Sequence, residues 1–184
     1  MKKACFLDRD GVLIVEKNYL CDIAEVELET GAAEAIKLLK GHGYMVIVIS
    51  NQSGVARGYF SEEQVRKVNA HIDALLAVDK ASIDDWFYCP HHPKGTIPEY
   101  AVDCQCRKPE PGMMLEAAEK HGIDLSKSFM IGDKMSDIET ARNAGCADAV
   151  LVLTGHGGEH EDTEGVTSAA NILAATKILL GEEK

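Results

Sequence analysis

The chain is short of positive charge. Against 30 Asp and Glu it carries 19 Lys and Arg, a formal net charge of -11, and it has no Lys/Arg run and no interleaving of basic with aromatic residues. Such a field repels a nucleic-acid backbone, so DNA and RNA are not expected partners. Long apolar runs are also missing. Only four apolar residues, Ala4 to Leu7, precede Asp8, too few for a signal-peptide core or a membrane span, which points to a cytoplasmic protein with no membrane partner. Internal repeats and low-complexity tracts are absent as well.

What is present suits one α/β unit. With 184 residues, 46% of them hydrophobic, the chain can bury one core, and residues 1–184 are expected to form a single domain with an insertion. Short apolar runs at Ala4–Leu7, Tyr44–Ile49, Trp86–Tyr88, Phe129–Ile131 and Ala149–Leu153 have the length of buried strands. Between them lie helical patterns. After Thr30, Ala32, Ala35, Ile36 and Leu39 share a face that ends at Gly41 and Gly43; after Ser61, Val65, Val68, Ile72 and Leu75 do the same, with Ser61 and Gln64 as a capping box. Further helices are expected from Pro111 to His121, from Ser136 with Glu139 as box partner to Gly145, and from Asn171 to Leu180. Apolar strands alternating with helices predict a doubly wound parallel sheet covered on both faces.

Ligands of such sheets collect at the carboxyl ends of the strands. Three polar clusters fall there: Asp8-Arg9-Asp10, Ser50-Asn51-Gln52-Ser53 and Gly132-Asp133-Lys134. Alone, an Asp-x-Asp-Gly after an apolar run reads as a turn. Taken together, the clusters supply what phosphoryl transfer requires: a carboxylate nucleophile, a proton carrier, the Ser50 hydroxyl, a cation from Lys108 or Lys134, and in Asp133 and Asp137 oxygen ligands for Mg²⁺.

The segment Cys89 to Pro109 fits neither period and reads as a functional insertion. Within it Cys89-Pro90-His91 and Cys104-Gln105-Cys106 form two pairs of soft ligands, a set suited to one closed, tetrahedral structural Zn²⁺; buried free thiols are the alternative. Cys5, Cys21 and Cys146 lie apart and read as small buried hydrophobes, and His42, His71, His92 and His121 as surface residues. Thr154 to Gly158 reads as a flexible strand exit.

Asp8-Arg9-Asp10-Gly11-Val12, Ser50-Asn51-Gln52-Ser53-Gly54, Lys108-Pro109 and Gly132-Asp133-Lys134 with Asp137 resemble, in order and over nearly the whole chain, the haloacid dehalogenase (HAD) superfamily of phosphatases. Val12 and Ser50 stand where Thr is common in that family. The resemblance implies a Rossmann-type core without a large cap domain. It makes Asp8 the nucleophile, Asp10 the general acid and base, and Asp8, Asp10 and Asp133 the Mg²⁺ ligands, with Asp137 behind them. Substrate contacts would come from Ser50, Asn51, Gln52, Ser53, Arg107, Lys108, Lys134, Glu16 and Tyr19.

The loop with Cys89, His91, Cys104 and Cys106 ahead of Arg107-Lys108-Pro109 is similar to the branch of heptose-bisphosphate and histidinol-phosphate phosphatases. It implies a structural Zn²⁺ and a monomer hydrolysing the C7 phosphate of D-glycero-D-manno-heptose 1,7-bisphosphate, with histidinol phosphate as the alternative substrate. A receiver-type phosphoaspartate domain is the rival from another class, although its acidic pair precedes the phosphorylated Asp by a whole βαβ unit.

Overall fold

The computed structural model describes residues 1–160 and 163–182. Its six strands, β1 (Lys3–Leu7), β2 (Tyr44–Asn51), β3 (Asp85–Cys89), β4 (Phe129–Gly132), β5 (Asp148–Val152) and β6 (Thr167–Ala169), lie in the order β3-β2-β1-β4-β5-β6. All pairs are parallel. The Rossmann-type order separates this sheet from that of a receiver domain, which runs 2-1-3-4-5. Strand β6 was not expected from sequence: Thr167-Ser168-Ala169 is short and polar, and it is held at the sheet edge by its register with Val150–Val152.

Among the described residues five α-helices cover the sheet: α1 (Ala32–Gly41), α2 (Glu62–Val78), α3 (Gly112–His121), α4 (Met135–Ala144) and α5 (Ile172–Leu180). Successive side chains of a strand point to opposite faces, and here both faces are dry. Cys5, Leu7, Val46 and Val48 pack with residues of α1, α2 and α5, while Ala4, Phe6, Ile47 and Ile49 pack with Met113, Met114 and Ala117 of α3 and Ala141 of α4. Continuous apolar strands are the consequence. On α2 the buried stripe ends at Leu76, not at Leu75 as read from sequence, since it follows the four-residue step from Val68 through Ile72.

Two caps differ from expectation. Ser61 Oγ accepts the Gln64 N–H at 3.3 Å, but the Gln64 side chain turns away to the Cys21 carbonyl, leaving half a box. Helix α4 begins at Met135; Asp137 Oδ2, not Glu139, accepts the Lys134 N–H at 3.0 Å, because Asp137 is buried beneath the strand ends while Glu139 lies away from them. Among the described residues, the long excursions beyond the carboxyl edge near the site are residues 8–31 and 90–111, and neither builds a separate cap domain. No described helix is long and apolar enough to cross a membrane.

Candidate active site

β1 and β4 end side by side, with Leu7 opposite Ile131, so the chain delivers Asp8 and Asp133 to one spot. Asp8 is tied down through its N–H to the Ile131 carbonyl at 3.0 Å. Lys108 arrives from the insertion and is 4% exposed; its Nζ lies 3.0 Å from Asp8 Oδ1 and 2.7 Å from Asp137 Oδ1, and donates to the Ile49 carbonyl at 3.1 Å. Asn51 fixes the approach by a reciprocal pair of bonds: its Oδ1 accepts the Lys108 N–H at 3.0 Å and its Nδ2 donates to the Lys108 carbonyl at 3.1 Å. Asn51 thus holds the lysine's backbone in addition to lining the cavity.

The electrostatics follow from burial. Desolvation pushes the Asp8 carboxyl up to about 6, with Lys108 opposing and Asp137 and Asp10 adding to the rise. Burial and the charge of Asp8 push Asp133 up to about 8. Burial acts to discharge Lys108, but Asp137 and Asp8 outweigh it and keep it protonated. Lys108 pairs with Asp8 and Asp137, and Lys134 acts on Asp133, so the buried carboxylates, whose oxygens lie within 4.8 Å of one another, outnumber the cations beside them. Asp133 Oδ1 is buried without a hydrogen-bond partner. An orphaned oxygen among crowded carboxylates fits a hard divalent cation, which would supply the missing positive charge.

The glycine-rich stretch after β5 is part of this site and not a loose exit. Gly11 has φ +83° and Gly155 φ +57°, and a Cβ on either would come within 2.4 Å of Asp133 Oδ2. The two glycines let the backbone close over Asp133. The His156 N–H then donates to Asp133 Oδ2 at 2.9 Å and Thr154 Oγ1 to the Gly11 carbonyl at 2.7 Å.

Above the carboxylates opens a cavity of about 400 Å³, the size of a site for a small metabolite. Ser53, Lys134, Glu16 and Tyr19 line it, as does Arg107. Gln52 lines it too, and its amide nitrogen donates at 2.6 Å to the Oγ of Ser50, which is buried and not itself among the lining residues. Arg57 and His92 are among the lining residues not expected from sequence. Arg57 Nη2 lies 3.4 Å from His92 Nε2, and the Arg57 guanidinium sits 6.0 Å from the centre of the Tyr19 ring. Burial and the charges of Arg107, Arg57 and Lys94 lower the His92 pKa. His92 lines the cavity, and with Arg57, Arg107 and Lys94 about it marks a positive corner in a protein of net charge -11. Arg57 lies within the run after β2, but nothing in its spacing shows that the chain turns back over the cavity. Arg107 donates to the His91 carbonyl at 3.2 Å and not to Glu99 or Glu110.

Cys89, His91, Cys104 and Cys106 converge beside this corner. The Cys106 sulfur is 3.0 Å from that of Cys89 and 3.3 Å from that of Cys104, and His91 Nδ1 is 3.4 Å from Cys106 Sγ. A tetrahedral zinc holds its sulfurs about 3.8 Å apart, so these donors need open by less than about 1 Å to take one. The 3.0 Å sulfur contact with Cys89 favours a thiolate on Cys106, pulling it down to about 5, while Cys89 itself is pushed up. The loop has further anchors: Thr96 and Ile97 donate to the Ala56 carbonyl, and Tyr88 and Tyr100 both donate to Glu62 of α2, at 3.0 and 2.8 Å.

The chain is similar to known proteins. Residues 105–176 match the HAD-hydrolase-like family model. The D-glycero-beta-D-manno-heptose-1,7-bisphosphate 7-phosphatase of Pasteurella multocida is 45% identical over 155 residues, 84% of each chain. A D-glycero-alpha-D-manno-heptose-1,7-bisphosphate 7-phosphatase of Photorhabdus laumondii is 41% identical over 177 residues, 96% of each. Among solved structures, the D,D-heptose 1,7-bisphosphate phosphatase of B. bronchiseptica, complexed with magnesium and phosphate, superposes with a TM-score of 0.84 at 31% identity, covering 98% of this chain and 99% of that one. By fold, family model and relatives alike, this chain belongs to the HAD-like hydrolases.

Proposed function

We propose that the protein is a Mg²⁺-dependent phosphatase that removes the C7 phosphate of a D-glycero-D-manno-heptose 1,7-bisphosphate, working as one unit over residues 1–184. The observation that carries the chemistry is the buried convergence of Asp8, Lys108, Asp137 and Asp133, the first three of which line the cavity while Asp133 lies buried against them. The substrate rests on the relatives that act on this bisphosphate. These include enzymes named for either anomer.

In this reading an Asp8 oxygen attacks phosphorus in line as the ester P–O bond breaks, and the leaving oxygen takes a proton from Asp10. Water then attacks the phosphorus, gives its proton to Asp10, and the bond to Asp8 breaks. Lys108 and the Ser50 hydroxyl hold phosphoryl oxygens. Asp8, Asp133 and the Asp10 carbonyl would hold Mg²⁺, which when bound neutralises carboxylate and phosphate charge. Cys89, His91, Cys104 and Cys106 would hold a structural Zn²⁺ that fixes the backbone carrying Arg107 and Lys108.

The positive corner supports a bisphosphate over a monophosphate. Arg107, with Arg57 and His92 beside it, faces the cavity where a second, non-reacting phosphate would lie, and a planar guanidinium can grip two of its oxygens. Histidinol phosphate has nothing to place there. The test is phosphate release with Mg²⁺ from both anomers of the heptose bisphosphate, histidinol phosphate and simple sugar phosphates. Preference for histidinol phosphate would replace the substrate assignment, and no release from any ester would remove the phosphatase reading.

A further inference from the structure

Arg9, between the two aspartates of the first motif, borders the cavity but is only 1% exposed, its guanidinium engaged by protein groups. A buried guanidinium requires partners for its donors. It finds them on three elements. Nε donates to Asp10 Oδ2 at 2.9 Å and Nη2 to Asp10 Oδ1 at 3.1 Å, a bidentate grip. Nη2 also donates to Gln52 Oε1 at 3.1 Å, and Nη1 to Asn69 Oδ1 of α2 at 3.2 Å. The Gln52 amide nitrogen in turn donates to Asp10 Oδ2 at 3.0 Å and to Ser50 Oγ at 2.6 Å.

A carboxylate has about four acceptor positions, two on each oxygen. On Asp10, Oδ2 is filled by Arg9 and Gln52, and Oδ1 has one of its two filled by Arg9. One position is left, on Oδ1. The Asp10 side chain is 17% exposed and lines the cavity, so that position is the one open to a reacting group.

We infer that Arg9 is a positioning residue which, with Gln52, orients Asp10 so that a single oxygen, Oδ1, exchanges protons with the leaving group and the attacking water. The inference rests on the aspartyl-phosphate reading above. The same chain of bonds accepts at Ser50 Oγ through a donor from Gln52, which leaves the Ser50 hydroxyl proton for the phosphoryl group. Asn69 anchors the assembly to α2 and touches neither substrate nor Asp10.

The test uses leaving groups. p-Nitrophenolate departs without a proton, whereas an alkoxide needs one in the transition state. In wild-type enzyme with Mg²⁺, rapid mixing with p-nitrophenyl phosphate and with an alkyl phosphate measures the first turnover and the steady rate. Arg9→Lys keeps the charge and loses the bidentate grip. Its first turnover on the aryl ester should stay within about 3-fold of wild type while its steady rate falls by about 10-fold or more, giving a nitrophenolate burst; the alkyl ester should lose about 100-fold, within the span of acid–base catalysis. Uniform loss on both esters and both phases, or no loss, would overturn the inference. If Arg9→Lys does not fold, Asn69→Ala loosens the same guanidinium and should show the same ranking at about 3-fold; a uniform effect there overturns it equally. Wild-type enzyme inert towards both esters would instead bring down the phosphatase reading on which the inference stands.

Discussion

Two clusters sit near each other at the carboxyl edge of the sheet and are built in opposite ways. Asp8, Asp133 and Asp137 come from two strand ends and a helix start, more than 120 residues apart at their extremes, and meet Lys108 only in the folded chain. Cys89, His91, Cys104 and Cys106 come from one strand end and the loop that follows it. The first set offers oxygens, suited to a hard cation that exchanges; the second offers thiolates and an imidazole, suited to one that stays. Under the proposed function the first carries the chemistry and the second the architecture. They are joined along the chain where Cys106 lies two residues before Lys108.

The sharpest break in that comparison is Asp8→Asn. It should abolish turnover, a loss of about 10³-fold or more, with little change in melting temperature, because the amide cannot bond to phosphorus. Asp10→Asn should still accumulate some phosphoenzyme from an activated ester. Wild-type turnover in Asp8→Asn, measured as phosphate release, would move the chemistry elsewhere.

Cys106→Ser should invert the pattern. Losing a thiolate ligand should cost stability of about 3 kcal/mol, a large single-site effect, and lower Tm by about 6–12 °C. Activity at low temperature should fall less than for Asp8→Asn. An unchanged melting curve together with one zinc per chain by elemental analysis would count against a structural metal.

Arg107→Ala tests the contact between the two regions. It should cost about 2 kcal/mol in kcat/KM for the bisphosphate, the scale of a lost charge-assisted hydrogen bond, and little for a monophosphate. Equal losses on both substrates would show that Arg107 does not select the second phosphate.

The smallest effect concerns pH. Burial raises Asp8 to about 6 and Asp133 to about 8, above their unfolded value near 4. Without metal the folded protein holds protons that the unfolded chain releases. The stability these groups contribute is therefore full at low pH and lost as pH rises through 6 and then 8. Magnesium competes with those protons. At ten times its dissociation constant it should add about 1.4 kcal/mol, roughly 3–5 °C in Tm, at pH 8.5, and much less at pH 6. Thermal melts with and without Mg²⁺ check this, and equal shifts at both pH values would place the cation away from Asp8 and Asp133. Chelation at pH 8.5 should remove activity that Mg²⁺ restores while zinc stays bound.

By itself the sequence determined the parallel α/β sheet, because continuous apolar strands between amphipathic helices have few other ways to bury both faces. It also carried the motif residues Asp8, Asp10, Ser50, Lys108 and Asp133, since each stands at a strand end or in the insertion, and the soft-ligand pairs, whose spacing is local. Tertiary structure alone decided the rest. The 90–111 segment returns over the run after β2, which sets Arg57 against His92; no periodicity encodes that encounter. The glycines after β5 became a cradle for Asp133 only once β1, β4 and β5 lay adjacent. The role of Arg9 was hidden for the same reason. A guanidinium next to an aspartate in sequence says nothing of geometry until Gln52 and Asn69, 43 and 60 residues away, fill its remaining donors and burial removes the water that would otherwise compete.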